Sequence, residues 1–194
     1  MILQQREIPT GIEHQLQQYP QMLQKVFLAR GVLNPAQVDL QLKHVLPPKD
    51  LPDIEVAAQR LVQAVRDDQH ILIVGDFDAD GATSVALCMR VLREFGAKHV
   101  NFVVPNRFEF GYGLSVEIVE HILPQQPDLI ITVDNGVASV DGVDRARQAG
   151  VDVIVTDHHL PPDELPKAVA VVNPNLLRRT ILIGDFRLCV VIYN

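Results

Sequence analysis

Apolar residues recur at helical spacing in the first third of the chain, with Ile54, Ala57, Leu61 and Val65 on one helix face as the clearest example. Prolines and glycine separate the apolar stretches from one another. The pattern therefore predicts an N-terminal helical segment at 1–68. The helices predicted within it are 12–29, 35–45 and 54–65.

From residue 71 onward, short and continuously apolar runs alternate with helical patterns. The run Leu129-Ile130-Ile131-Thr132-Val133 is typical of a strand that is covered on both faces. Strands that alternate with helices form parallel, right-handed sheets. We therefore predict an α/β fold over 69–175, a parallel sheet with flanking helices. The predicted strands are 71–75, 99–104, 129–133, 152–156 and 169–172, and the predicted helices are 82–96, 115–123 and 138–149, with a short turn near 163–166.

Composition agrees with a globular protein, since 47% of the 194 residues are hydrophobic and 21% are charged. No apolar run reaches the roughly 18–20 residues of a membrane span, and the N-terminus does not resemble a signal peptide. Cys88 and Cys189 are the two cysteines, and Cys88 falls in a helical pattern typical of a buried position. These features favour a cytoplasmic protein without disulfides. The net charge of −7 argues against an extended basic surface.

An acidic cluster follows the first predicted strand. Asp76, Asp78 and Asp80 alternate along the chain directly after the apolar run 71–74 and a glycine. Three carboxylates so close together repel one another unless a cation lies among them, and a hard divalent metal ion takes oxygen ligands. The cluster also lies where a strand passes into a helix, which is the usual ligand crevice of a parallel sheet.

Two further strands end in polar residues of the same kind. Asp134 follows the strand at 129–133, and Asp157, His158 and His159 follow the strand at 152–156. A single strand-end aspartate is usually a helix cap, but three such loops at one sheet edge favour a metal site. Mixed Asp and His ligands suit Mn²⁺, and Mg²⁺ is the alternative. A two-metal site of this kind activates water and holds a phosphoryl oxygen.

Three motifs at these strand ends resemble, in the same order, those of the DHH phosphoesterase superfamily, namely Asp78-Ala79-Asp80-Gly81, Asp134-Asn135-Gly136 and Asp157-His158-His159. The segments Val104-Pro105-Asn106-Arg107 and Gly111-Tyr112-Gly113-Leu114 are similar to those of its single-strand-specific 5′→3′ DNA exonucleases. The resemblance runs from about residue 25 to Asn175. It implies a hydrolase that degrades single-stranded DNA to mononucleotides in DNA repair and recombination.

The resemblance also implies roles for individual residues. Asp78 and Asp80 would each bind one Mn²⁺ or Mg²⁺ ion, and Asp134 would bridge the two ions. His158 would be a further metal ligand, and His159 would contact the scissile phosphate.

Other residues near the motifs have supporting roles in this interpretation. Asp157 would orient His158. Asp76 would either cap the chain or orient its neighbours. Arg107 is either a phosphate contact or a surface arginine, and Tyr112 either stacks on a base or packs against the protein.

Two positions depart from the family pattern. Val74 occupies the place where many members have a histidine four residues before the first ligand, so either one metal has a weaker shell or Asp76 compensates. Phe110 stands where the family usually has an acid, and we expect it to be exposed.

After Asn175 the resemblance stops, and the tail at 176–194 carries no family motif. We therefore expect a truncated product whose tail comes from a changed reading frame, with Mn²⁺ binding but weak or no digestion of single-stranded DNA. A phosphoesterase of small substrates, such as oligonucleotides, cyclic dinucleotides or pyrophosphate, is one alternative function. A non-catalytic fragment is the other.

Overall fold

A computed structural model describes most of the chain, and the residues described are 7–8, 10–39, 41 and 47–179. The described residues fall into two compact units, one within 7–41 and one within 47–179. The tail predicted at 176–194 lies outside the described residues from residue 180 onward. Within the described residues, no helix has the length and apolar character that crossing a membrane requires.

The first unit is less helical than predicted. Its helix α1 spans Gln21–Leu28 and begins directly after Pro20, so the prediction of a helix over 12–29 is wrong in its first half. Proline has no N–H to donate and disfavours helical backbone in the residue before it. A single 3₁₀ turn, Pro35–Val38, stands where a helix over 35–45 was predicted, and residues 40 and 42–45 lie outside the description.

The second unit contains a five-stranded sheet in the order β2-β1-β3-β4-β5, with every neighbouring pair parallel. The predicted parallel α/β fold is therefore confirmed. The strands are β1 (Ile71–Val74), β2 (Val100–Val103), β3 (Leu129–Val133), β4 (Asp152–Thr156) and β5 (Ala170–Val172).

Among the residues that the structure describes, five α-helices accompany the sheet in the second unit: α2 (Ile54–Arg66), α3 (Ala79–Glu94), α4 (Arg107–Phe110), α5 (Val116–Ile122) and α6 (Val140–Gln148). Helix α3 begins three residues before its predicted start, and α4 was not predicted. The turn predicted near 163–166 contains bends but no helix. Helix α2, predicted as part of the N-terminal segment, lies in this unit, where Asp53 at its start accepts a hydrogen bond from the backbone N–H of Val171 in β5.

Alternate residues of each central strand enter two apolar cores, one on either face of the sheet. In β1, Ile71 and Ile73 pack into the core that includes α2 and α3, whereas Leu72 and Val74 pack into the core that includes α5 and α6. All four side chains are fully buried, as expected for a strand covered on both faces. Phe110 also packs against the second core, so the expectation of an exposed phenylalanine is wrong.

Candidate metal centre

Three loops meet at the carboxyl edge of the sheet because the strands before them are direct neighbours. The strand order places β3 between β1 and β4. Val74 pairs with Thr132, and Val133 pairs with Thr156. The three strands therefore end at nearly the same position along the strand direction, and the acidic residues that follow them leave the sheet close together.

The first loop is shaped by its own carboxylates. Asp78 caps α3, since its Oδ1 accepts hydrogen bonds from the backbone N–H groups of Asp80 at 3.1 Å and Gly81 at 3.0 Å. Asp76 is buried, and its Oδ1 accepts a hydrogen bond from the backbone N–H of Phe77. A Cβ at Gly81 would lie 2.3 Å from the carbonyl oxygen of Asp76, so only glycine fits this turn.

The second loop places a buried carboxylate against an imidazole. Oδ1 of Asp134 lies 2.7 Å from Nε2 of His158, and Asp134 is only 1% exposed. Burial raises the pKa of Asp134 to about 6, although the charge and hydrogen bond of His158 act in the opposite direction, and the nearby carboxylate of Asp78 raises it further. A carboxylate in this position is stabilised by positive charge.

The third loop is organised around Asp157, which is buried. Its Oδ1 accepts hydrogen bonds from the backbone N–H groups of His158 and His159 and lies 2.7 Å from Nδ1 of His159, while its Oδ2 accepts one from the N–H of Val137. The prediction that Asp157 orients the His158 ring is therefore corrected. Asp157 orients the ring of His159 and holds only the backbone of His158.

The side chains of the three loops form two groups, and the potential ligand atoms within each group lie within 4.8 Å of one another. One group is Asp76, Asp78 and Asp134, and the other is Asp134, His158 and His159. Asp134 belongs to both groups, which is the position that a bridging ligand requires. Oxygen and imidazole donors of this kind fit Mn²⁺.

The hydrogen bonding of His158 supports the same fit. Its Nε2 faces Asp134, and among the described residues its buried Nδ1 has no hydrogen-bond partner. A buried imidazole usually has both nitrogens satisfied, so an unsatisfied nitrogen indicates a missing ligand or water. The residues present therefore fit a divalent cation.

Of the four predicted metal ligands, Asp80 is the one that belongs to neither group. It lies in the first turn of α3 with its side chain exposed. Its predicted role as a ligand stays a prediction. The backbone of Arg107 begins α4, but its side chain lies outside what the structure describes.

Tyr112 contacts the site directly. Its hydroxyl lies 3.3 Å from the carbonyl oxygen of Asp134 and 3.3 Å from Nε2 of His159, and its ring meets the His159 ring edge-on. A cavity of about 380 Å³ opens beside these side chains. Its lining includes Tyr112, Ser115, Gly136, Ser139, Asp157 and His159.

Asn135 is a site residue whose function the sequence did not indicate. Its Nδ2 donates hydrogen bonds to the carbonyl oxygens of Val74 and Val133, which end β1 and β3. The hydroxyl of Thr132 in turn donates to the carbonyl oxygen of Asn135. The amide thus ties the first and second loops together, and the position of Asn135 inside the second motif was the only available signal.

The fold and this edge define the class of the protein, an α/β protein with a carboxylate–imidazole site where three parallel strands end. The model of the DHH family, N-terminal domain, matches residues 70–180. The chain belongs to the DHH family.

Several characterised proteins are similar to this chain. The single-stranded-DNA-specific exonuclease RecJ of Haemophilus influenzae is 48% identical over 175 residues, which cover 90% of this chain and 30% of that protein. RecJ of Escherichia coli is 47% identical over 157 residues, covering 81% of this chain and 27% of that protein. A crystal structure of exonuclease RecJ bound to manganese superposes with a TM-score of 0.65 at 34% identity, covering 76% of this chain and 38% of that chain. The chain thus spans less than a third of the length of these curated relatives.

Proposed function

We propose that this chain carries a two-metal phosphodiesterase site that acts on single-stranded DNA. The observation that supports this proposal best is the position of Asp134, whose buried carboxylate is shared by the two ligand groups. The similarity to RecJ proteins and to a manganese-bound RecJ structure supports Mn²⁺ as the metal, with Mg²⁺ as the alternative. We further propose 5′→3′ digestion to mononucleotides in DNA repair and recombination on the basis of the motif resemblance, and a cytoplasmic location on the basis of the composition.

The proposed ligands come from all three loops. Asp78, Asp134 and His158 would hold the ions, with Asp80 as a fourth ligand on the basis of the resemblance. The buried carboxylate of Asp76 lies in the group with Asp78 and Asp134. Asp76 would therefore compensate for the histidine that many family members have at the position of Val74.

Bound divalent cations would supply a nucleophile from water at neutral pH and neutralise charge on the phosphoryl oxygens. The residues of the chain provide the positioning. Asp157 accepts a hydrogen bond from the ring of His159 and so fixes its orientation, while nearly half of the His159 side chain stays exposed. As an imidazolium, His159 can also donate a hydrogen bond from Nε2 to the phosphate of a bound strand.

The surroundings of His159 support a nucleic-acid substrate. The cavity beside it has the size of a ligand pocket, and Tyr112, which lines it, is 47% exposed. We propose that Tyr112 stacks on a base while its hydroxyl stays near His159, and that Arg107 contacts a neighbouring phosphate.

Calorimetric titration with Mn²⁺ tests the site itself. We expect saturable binding by the full chain and its loss in D134N, because Asp134 belongs to both groups. D163N is the matched control, since Asp163 is exposed in a loop outside both groups. Weaker binding by D76N and D80N would support their proposed roles individually. Absence of saturable binding by the unaltered chain would contradict the proposed function and favour a non-catalytic domain.

An exonuclease assay tests the substrate. With Mn²⁺ we expect only slow release of mononucleotides, but release from the 5′ end of single-stranded DNA should be faster than from duplex DNA, and D134N should abolish it. Faster cleavage of dinucleotides or pyrophosphate than of long strands would instead identify a small-substrate phosphoesterase.

A further inference from the structure

The backbone of the third loop is held from one side by Asp157. The N–H groups of His158 and His159 both donate to Oδ1 of Asp157, at 2.6 Å and 3.0 Å. These bonds fix the amide side of the two histidines. They leave the carbonyl oxygens of the same two residues to be held by another part of the chain.

Two asparagines that follow β5 hold those carbonyl oxygens. Nδ2 of Asn175 donates to the carbonyl oxygen of His158 at 2.5 Å and to that of His159 at 3.3 Å, and Nδ2 of Asn173 donates to the carbonyl oxygen of His159 at 2.9 Å. The two asparagines are also joined, since Oδ1 of Asn173 accepts a hydrogen bond from the backbone N–H of Asn175 at 2.8 Å. Both asparagines are buried.

The sheet explains why this segment reaches the site. Strand β5 is parallel to β4 and adjacent to it, with Thr156 paired with Val172. The residues after each strand therefore leave the sheet at the same edge, and Asn173 follows Val172 directly. Asn173 and the start of the 3₁₀ helix Pro174–Arg179 thus form a fourth strand-end segment beside the site.

We propose that Asn173 and Asn175 are positioning residues, which hold the two histidines of the third loop in the geometry needed for metal and phosphate binding. This inference rests on the proposed function. The asparagines act through the backbone, since their side chains donate to the carbonyl oxygens of His158 and His159. Together with Asp157 they hold both the N–H and the C=O groups of His158 and His159.

The carboxamide is the chemical group that this arrangement needs. A carbonyl oxygen only accepts hydrogen bonds, and an asparagine Nδ2 donates two. An aspartate at 173 would place an acceptor against the carbonyl oxygen of His159, while its other oxygen could still accept from the N–H of residue 175. An aspartate at 175 would place an acceptor against the carbonyl oxygens of both His158 and His159. The substitutions N173D and N175D therefore remove the donors and leave the shape of the side chain nearly unchanged.

The experiment compares Mn²⁺ affinity of the full chain and its variants by calorimetry at constant pH. We expect N175D and N173D to weaken binding by about tenfold, the lower end of the loss seen when partners around metal ligands are removed. N101D is the matched chemical control, because Asn101 lies on β2 beside His70, with its side chain exposed. V143A is the control for lost stability alone, because Val143 is buried in α6. Both controls should bind within about twofold of the unaltered chain, well below the tenfold loss.

If N175D or N173D fails to fold in a cooperative thermal transition, N175A and N173A carry the same test without a new charge. Affinity equal to that of the unaltered chain in folded Asn175 and Asn173 variants would overturn the proposal. An equal loss in V143A would overturn it as well, since the effect would then follow from stability alone.

Amide hydrogen exchange of the metal-free chain separates this proposal from the proposed function. We expect the backbone amides of His158 and His159 to exchange about tenfold faster in N175D than in the unaltered chain, with no change in N101D, because the loop opens locally. If the unaltered chain does not bind Mn²⁺, the proposed metal site is wrong. The amide exchange rates then test by themselves whether the asparagines hold the loop. Unchanged exchange in N175D would overturn the proposal.

Discussion

Asp134 shows how a single residue is adapted to this site. Its backbone adopts the left-handed conformation with φ at 63°, which non-glycine residues adopt uncommonly and aspartate more readily than most. Gly136 follows with φ at 109°, and a Cβ there would lie 2.4 Å from Oγ1 of Thr132. The tight turn brings the carboxylate against His158, so local backbone strain is associated with the residue that both ligand groups share.

Cys88 provides a prediction at the same scale. Burial raises the pKa of its thiol from 9.0 to about 11, because the thiolate is poorly solvated against the apolar core around α3. A group whose pKa is raised in the folded state contributes its full stabilisation of the fold at pH values below its pKa in the unfolded state. This contribution is lost as the pH rises toward 11. The test compares the C189S protein with the same protein carrying C88A as well. Between pH 9 and pH 11, the free energy of unfolding of the C189S protein should fall by an amount of the order of 2 kcal/mol more than that of the C88A variant.

Urea denaturation of the two proteins at several pH values measures this difference. The comparison cancels the titration of lysines and tyrosines, which both proteins share. Parallel pH profiles for C88A and its parent would contradict the prediction.

At the scale of elements, glycines set how closely loops and helices approach. In α6, a Cβ on Gly142 would lie 1.8 Å from the carbonyl oxygen of Leu114, just before α5. Helix α6 therefore packs against the backbone at the start of α5. The same region lines the cavity beside His159, so this close contact also shapes the candidate substrate site.

G142A tests this contact between elements. Alanine in a helix interior is normally favoured over glycine by about 1 kcal/mol, but here the added methyl group must displace backbone. We expect destabilisation of about 1–3 kcal/mol, the cost of overpacking, measured by urea denaturation. Q148A on the exposed end of the same helix is the control and should be close to neutral. Stabilisation by G142A would show that α5 and α6 are further apart than described.

At the scale of the whole molecule, the candidate metal centre connects loops that are distant in sequence. Asp78, Asp134 and His158 come from the ends of three different strands and meet only because those strands are neighbours in the sheet. Ions held by side chains from these three loops would bind the folded chain and not the unfolded one. Metal binding should therefore stabilise the fold of the second unit.

Thermal unfolding with and without Mn²⁺ measures this coupling. At a Mn²⁺ concentration of about 100 times Kd, the stabilisation should be about 2.7 kcal/mol, which corresponds to a rise in Tm of roughly 5–10 °C. D134N should show no rise, while D163N should respond as the unaltered chain does. An equal rise in D134N would place the bound metal elsewhere.

The N-terminal unit shows the limit of periodicity. Its apolar spacing predicted a helix from residue 12, but Pro20 restricts the chain and the helix begins only at Gln21. In the sheet, by contrast, β3 and β4 have the predicted bounds, because continuous apolar runs flanked by polar residues define a strand covered on both faces.

The sequence by itself determined the α/β fold, the acids and histidines at three strand ends, and the resemblance to the DHH family. These features are local in the chain, so composition and spacing reveal them. Only the tertiary structure decided which side chains meet. In the folded chain Asp76, and not Asp80, lies in the group with Asp134. Asp157 contacts the ring of His159, and Asn175 donates to the backbone of the histidines. The reason is physical, since strand order and helix starts set the direction of each side chain, and neither is encoded in a motif.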